Sequence, residues 1–147
     1  MVDILHMVGV EGRSAEDVYG ALTTVDGLAG WWTETTSGRA EVGGTLEFRF
    51  NGGGFDMTVL EQVPYEHVVW RVVDGPAEWI GTTIDWRLRD GADQTTVLFQ
   101  HRGWREPVEF MHHCSTKWAT FLMSLKAMLE AGSGAPFPHD VHIAFGE

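Results

Sequence analysis

The apolar positions of the chain change their period along its length, and each change marks an element. From Met1 to Val10 the pattern alternates, with Ile4, His6, Val8 and Val10 on one parity and Leu5 and Met7 on the other, which predicts a strand. Gly12-Arg13-Ser14 interrupts it. Ser14 stands where an N-cap belongs, Asp17 occupies the capping-box position, and Glu16 and Asp17 suit the positive end of a helix. Val18 and Leu22, with Tyr19 and Val25, give that helix its inward stripe. Gly27 and Gly30 then set apart a second short helix ending at Trp31-Trp32.

From Gly43 the period becomes two. Leu46, Phe48 and Phe50 alternate with Glu47 and Arg49, and Phe55, Met57 and Val59 alternate with Asp56 and Thr58, with Asn51-Gly52-Gly53-Gly54 as the hairpin turn between them. Val63-Pro64-Tyr65-Glu66 predicts the next turn, then a strand over 67–73. Asp74-Gly75-Pro76 turns into a long strand over 79–88, and Asp90-Gly91-Ala92-Asp93 into a last strand over 95–101. Closely spaced turns with no helix between the strands imply an antiparallel meander.

The period then lengthens. Pro107 suits a helix start and Gly132 its C-terminal stop. Between them Met111, Cys114, Trp118, Phe121, Leu122, Leu125, Met128 and Leu129 make one apolar stripe. The predicted helix is about 25 residues, or roughly 37 Å long. The tail from Ser133 is punctuated by Gly and Pro and then alternates at Val141, Ile143 and Phe145, so that either a docked extension or an ill-ordered end fits it.

A curved antiparallel sheet with the long helix in its concavity satisfies this order, because each buries the other's apolar face. One helix does not completely fill a strongly curved sheet, so such an arrangement tends to enclose a cavity.

Composition narrows the function. The chain has 147 residues, 10 Lys+Arg against 21 Asp+Glu, and a formal charge of −11. Its length fits one domain able to bury roughly 68–70% of its unfolded surface. The charge argues against nucleic acid or an anionic membrane as partner, since both require a basic patch. No stretch approaches the ~20 apolar residues of a membrane span. The N-terminus lacks the basic and apolar regions of a signal peptide, and the single Cys114 permits no internal disulfide; both fit a cytoplasmic location.

The segment from Ser14 to Thr23, followed by Gly27-Leu28-Ala29-Gly30-Trp31-Trp32, resembles the opening of the activator of heat-shock-protein-90 ATPase homologue family. That family lies within the superfamily of steroidogenic-acute-regulatory-related lipid-transfer domains and birch-pollen-allergen-like proteins. The run from Thr95 to Trp104, and the closing Trp118, Leu122, Leu125-Lys126, Leu129-Glu130 and Gly132, are similar to its second half. The resemblance covers roughly residues 3–132. It implies an α+β helix-grip fold, a curved antiparallel sheet wrapped around a long C-terminal helix with two short helices after the first strand. The expected division is a helix-grip domain over 1–134 and a C-terminal tail over 135–147. The fold hosts lipid carriers, aromatases, cyclases and co-chaperone domains alike, so it implies no single function.

Three residue sets carry candidate chemistry. Phe48, Met57, Ile84, Trp86, Val97 and Phe99 share the parity expected to face the long helix, whose Met111, Cys114, Trp118 and Leu122 face back. The plainer reading is a packed core; the sharper one, which the resemblance favours, is an apolar cavity with Trp86, Phe99 and Trp118 as walls. Met57, Met111 and Cys114 would be its adaptable filling, and Trp32 would close its mouth. His101 continues the inward parity of Val97 and Phe99, so its ring would be satisfied by neighbours or would serve as a polar anchor or general base. Arg71 lies in a run apolar on both parities, and if inward it would meet a carboxylate or an anionic ligand. Asp85 and Arg87 flank Trp86 and should face water.

Other chemistries fail on spacing. His112 and His113 are adjacent, whereas helical metal ligands need a step of three or four, so no metal site is expected and one imidazole should be solvated while the other caps the rim. Cys114 on the apolar stripe should behave as a buried hydrophobe. Gly52-Gly53-Gly54 lies between strands and is no phosphate loop, so no cofactor is expected. The sequence thus points to a small hydrophobic or aromatic ligand as partner. The alternatives are a co-chaperone-like protein partner, with a homodimer also possible, and a cyclase- or aromatase-type enzyme using His101.

Overall fold

The computed structural model describes residues 1–144. Strand β1 (Val2–Glu11) is followed by α1 (Ala15–Thr23) and α2 (Val25–Trp31). Strands β2 (Thr36–Gly38), β3 (Thr45–Phe50), β4 (Gly53–Val63), β5 (His67–Asp74), β6 (Thr83–Asp90) and β7 (Gln94–Trp104) come next, then the long helix α3 (Glu109–Ala131). The strands form one antiparallel seven-stranded sheet in the order β1-β7-β6-β5-β4-β3-β2, so the meander is closed by the first strand pairing with the last. This is the helix-grip fold.

Local chemistry explains the elements. The Ser14 side chain accepts from the Asp17 N–H while the Asp17 carboxylate accepts from the Ser14 N–H, a complete capping box at the start of α1. The Trp31 indole donates to the Ala21 carbonyl at 3.0 Å, which clamps α2 to α1. Asn51-Gly52 turns β3 into β4, with Gly52 at φ +79°. At Gly54 a Cβ would collide with the Phe48 carbonyl oxygen, so only glycine lets the hairpin close there. Helix α3 ends at Gly132, in the left-handed region at φ +88° with its N–H on the Met128 carbonyl.

Alternation places the core as the period-two pattern requires. Leu46 and Phe48, Met57 and Val59, Trp70 and Val72, Ile84 and Trp86, and Val97 and Phe99 all point inward and are buried. Cys114, Trp118, Phe121, Leu122 and Leu125 of α3 pack back against them in one cluster.

Three expectations are corrected. Strand β6 begins at Thr83 rather than at Trp79, because residues 77–81 form a turn in which the Pro76 carbonyl accepts from the N–H groups of Trp79 and Ile80. Val68, Trp70 and Val72 take the inward phase of β5, which turns Arg71 out to solvent. Asp85 does lie on the convex face but is only 4% exposed, because His67, Arg87 and Arg102 cover it, with His67 Nε2 3.1 Å from its carboxylate.

The tail docks. Phe137 pairs in parallel with Thr33: its N–H donates to the Trp32 carbonyl at 2.8 Å, and its carbonyl accepts from Glu34 N–H at 3.1 Å. Ser124 Oγ of α3 donates to the Trp31 carbonyl and accepts from Ala135 N–H, so one hydroxyl joins α2, α3 and the tail. Val141 is exposed and Ile143 half-buried, while Phe145 lies outside the described residues.

Candidate functional site

The concavity between α3 and the sheet is not completely filled. A partly open cavity of about 300 Å³ remains there, bounded by five pieces of chain. Phe50 to Phe55 of the β3–β4 hairpin form one side, with Pro76 and Trp79 from the β5–β6 connection. Helix α3 presents Phe110, His113, Cys114, Lys117, Trp118 and Phe121; the tail adds Phe137, Pro138, Asp140 and His142; and Trp32 completes the wall.

Much of the lining is stacked aromatic surface. The Phe55 and Trp79 rings lie 4.1 Å apart and 11° from parallel, and Trp79 continues the stack onto Trp118 at 5.9 Å and 13°. Trp32 meets Trp118 at 4.9 Å, and Phe137 of the tail meets Phe50 at 5.2 Å. The turn over 77–81 is what delivers Trp79, because an alternating strand would have placed it in line with Thr83 and β6.

The polar groups at the site are few and mostly satisfied. Trp79 Nε1 donates to Cys114 Sγ at 3.3 Å, and burial pushes the Cys114 thiol up to about 12. At pH 8 its thiol–disulfide exchange with Ellman's reagent, which releases thionitrobenzoate, is therefore expected to run roughly 10³-fold slower than that of an ordinary cysteine of pKa about 8.5, and to recover in denaturant. A native-state rate near the unfolded one would contradict this burial. Lys117 Nζ lies 2.5 Å from Asp140 Oδ2 and 3.0 Å from the Val141 carbonyl, with its ammonium 5.2 Å from the centre of the Phe121 ring.

His101 stands behind this wall. Trp118 Nε1 donates to its Nδ1 at 3.1 Å, so that nitrogen carries no proton, and Nε2–H then donates to Thr82 Oγ1 at 2.8 Å. The Thr82 hydroxyl passes the chain on to the Trp79 carbonyl at 2.5 Å. Burial pushes the His101 pKa down to about 3, so the ring is neutral and both of its nitrogens are engaged. It does not line the cavity. The expectation of a ligand anchor or general base there is corrected: His101 positions Trp118 and Trp79.

Of the residues nominated from the sequence, Trp32, Cys114 and Trp118 come together at the cavity. Phe48, Met57, Trp86 and Phe99 are buried in the core without reaching it, Met111 is half-buried beside it, and Arg71 is on the opposite face. His112 is exposed, whereas His113 lines the cavity and stacks on Phe110. Sequence reasoning missed Phe55, Trp79, Phe110, Lys117, Phe121 and the tail. One signal was available for Lys117: with Cys114, Trp118 and Phe121 it completes the spacing of a single helix face.

Residues 13–130 match the family model for Activator of Hsp90 ATPase homolog 1-like protein. The chain belongs to this family. Its structure is similar to the Aha1 dimer from Colwellia psychrerythraea, solved in solution, with 48% identity, a TM-score of 0.84, and coverage of 91% of this chain and 100% of that one. It also shares its fold with protein SSP2350 from Staphylococcus saprophyticus, at 19% identity, a TM-score of 0.74, and coverage of 90% and 95%. CalU16 from Micromonospora echinospora has the same fold at 16% identity and a TM-score of 0.71, with coverage of 86% and 73%. No curated protein matches the sequence. Among the described residues no helix is long and apolar enough to cross a membrane. In this member of the Activator of Hsp90 ATPase homolog 1-like family, the tail wall of the cavity lies beyond the matched segment, which ends at residue 130.

Proposed function

We propose that the chain binds a small hydrophobic or aromatic molecule in the cavity between the β3–β4 hairpin, α3 and the tail. The observation that carries this reading is the stacked wall of Phe55, Trp79 and Trp118 around about 300 Å³ of space. That volume is at the lower end of the roughly 300–1,000 Å³ typical of small-molecule sites, and favours a compact, flat ligand of one or two rings. The cavity's thiol is protonated and His101 is neutral and enclosed, so a cyclase- or aromatase-type reaction would need a different base. The co-chaperone alternative draws on the family description, whereas the cavity belongs to this chain.

Thermal unfolding with a panel of naphthalene and indole compounds, read by tryptophan fluorescence, tests the proposal. A ligand at 100 times its Kd adds about 2.7 kcal/mol to the native state, which raises Tm by roughly 5–10 °C. Quenching should accompany the shift, since Trp32, Trp79 and Trp118 line the site. Failure of every compound to move Tm or fluorescence would sink the carrier reading.

A further inference from the structure

Lys117 sits where a helix facing an aromatic cavity would be expected to carry an apolar residue. Cys114, Lys117, Trp118 and Phe121 share one face of α3, and all four line the cavity. A lysine is almost never buried without a compensating charge, and this one keeps only 14% of its side chain exposed. Its ammonium lies 5.2 Å from the centre of the Phe121 ring and meets the Asp140 carboxylate, itself 9% exposed, and the Val141 carbonyl. Among the described residues it is the one lysine or arginine in the lining.

The carboxylate comes from the tail, and so does an aromatic ring. Phe137 packs on Phe50 in the apolar wall, and three residues later Asp140 reaches Lys117. The tail therefore presents an aromatic group and a carboxylate to the same cavity, the two features of an aryl or short alkyl acid. The tail backbone is fastened to the chain after α2 at Phe137, whereas the Asp140 side chain meets Lys117 through an ion pair, which a competing carboxylate can replace one for one. With a net charge of −11 the chain repels anions at long range, so any selectivity for one must come from a local cation such as this.

We propose that the cavity's ligand is a small apolar molecule bearing one carboxylate, that Lys117 is its anchor, and that Asp140 holds the head-group position in the conformation seen here. This rests on the small-molecule reading of the cavity. A charged hydrogen bond of this kind favours the acid over its neutral amide by about 10-fold or more.

Calorimetric titration at pH 7.5 with naphthalene-1-carboxylate and naphthalene-1-carboxamide separates the claims. Wild type should prefer the carboxylate. Asp140→Asn should tighten the carboxylate several-fold and change the amide far less. Lys117→Met should lose the preference while still binding the amide, and Lys117→Arg should keep it, which guards against a folding artefact. A wild type that binds both probes equally, a preference surviving Lys117→Met, or no gain in Asp140→Asn would overturn the anchor and leave the carrier reading standing. Binding of neither probe to any variant would overturn both.

Discussion

Trp32→Ala is expected to remove about 3–5 kcal/mol of stability, the cost of truncating a large buried aromatic, and to lower Tm by on the order of 10 °C. Trp32 follows α2 directly and is 1% exposed, and it is the ring on which separate parts of the fold converge. It reaches Phe48 of β3 at 4.2 Å, Trp118 of α3 at 4.9 Å, Phe55 of β4 at 6.0 Å and Trp70 of β5 at 6.2 Å. Truncation would leave a void joined to the existing cavity, which the neighbouring rings, held by the sheet and by α3, collapse into poorly. Its backbone remains in place and still accepts the Phe137 N–H, so the effect isolates the ring. Urea unfolding of wild type, Trp32→Ala and Trp32→Phe is the measurement, with the phenylalanine variant expected to fall between the others. A loss below about 1 kcal/mol in the alanine variant would show that the site collapses freely and that Trp32 is no hub.

The difference between what the sequence made legible and what it hid has a physical basis at each position. Parity reports which face of the sheet a residue occupies, and the inward phases of β3, β4, β6 and β7 were readable because one parity is apolar in each. Residues 36–38 are too short a run to alternate, so β2 left no pattern. Parity does not report how far along the concavity a residue lies. Trp86 and Phe99 are covered by Trp118 of α3 and Phe48 by Trp32, whereas the cavity lies toward the β3–β4 hairpin. Trp79 was hidden by a turn that strand-like composition conceals, and the contribution of the tail depends on the long-range pairing of Phe137 with Thr33. Asp85 shows the converse: its outward phase was legible, but its burial comes from His67, Arg87 and Arg102 on three strands.

Acidification should destabilise the protein before its carboxylates begin to titrate. His101 takes up a proton near its ordinary pKa of 6.5 when unfolded, and only near 3 in the native state. Between those values the unfolded chain binds more protons, so native stability falls as pH falls, by up to about 1.4 kcal/mol per pH unit. The cause is structural: protonating Nδ1 would set a second N–H against the Trp118 indole donor in a site that desolvates the charge. Glu41 and Glu130, which their Arg39 and Lys126 partners hold below the usual carboxylate range, add their own acid sensitivity lower down, so pH 5.5–7.5 is the window that isolates the histidine. Urea unfolding across that window should show wild type losing about 1 kcal/mol or more. His101→Gln retains an acceptor for Trp118 and a donor for Thr82 but has no titratable ring. It should be less stable at pH 7.5 and lose correspondingly less on acidification. The other six histidines are common to both proteins and cancel in the comparison. Parallel stability curves for the two proteins would place the native pKa of His101 close to its unfolded value, and would break the neutral chain that links Trp118 through Thr82 to the Trp79 wall of the cavity.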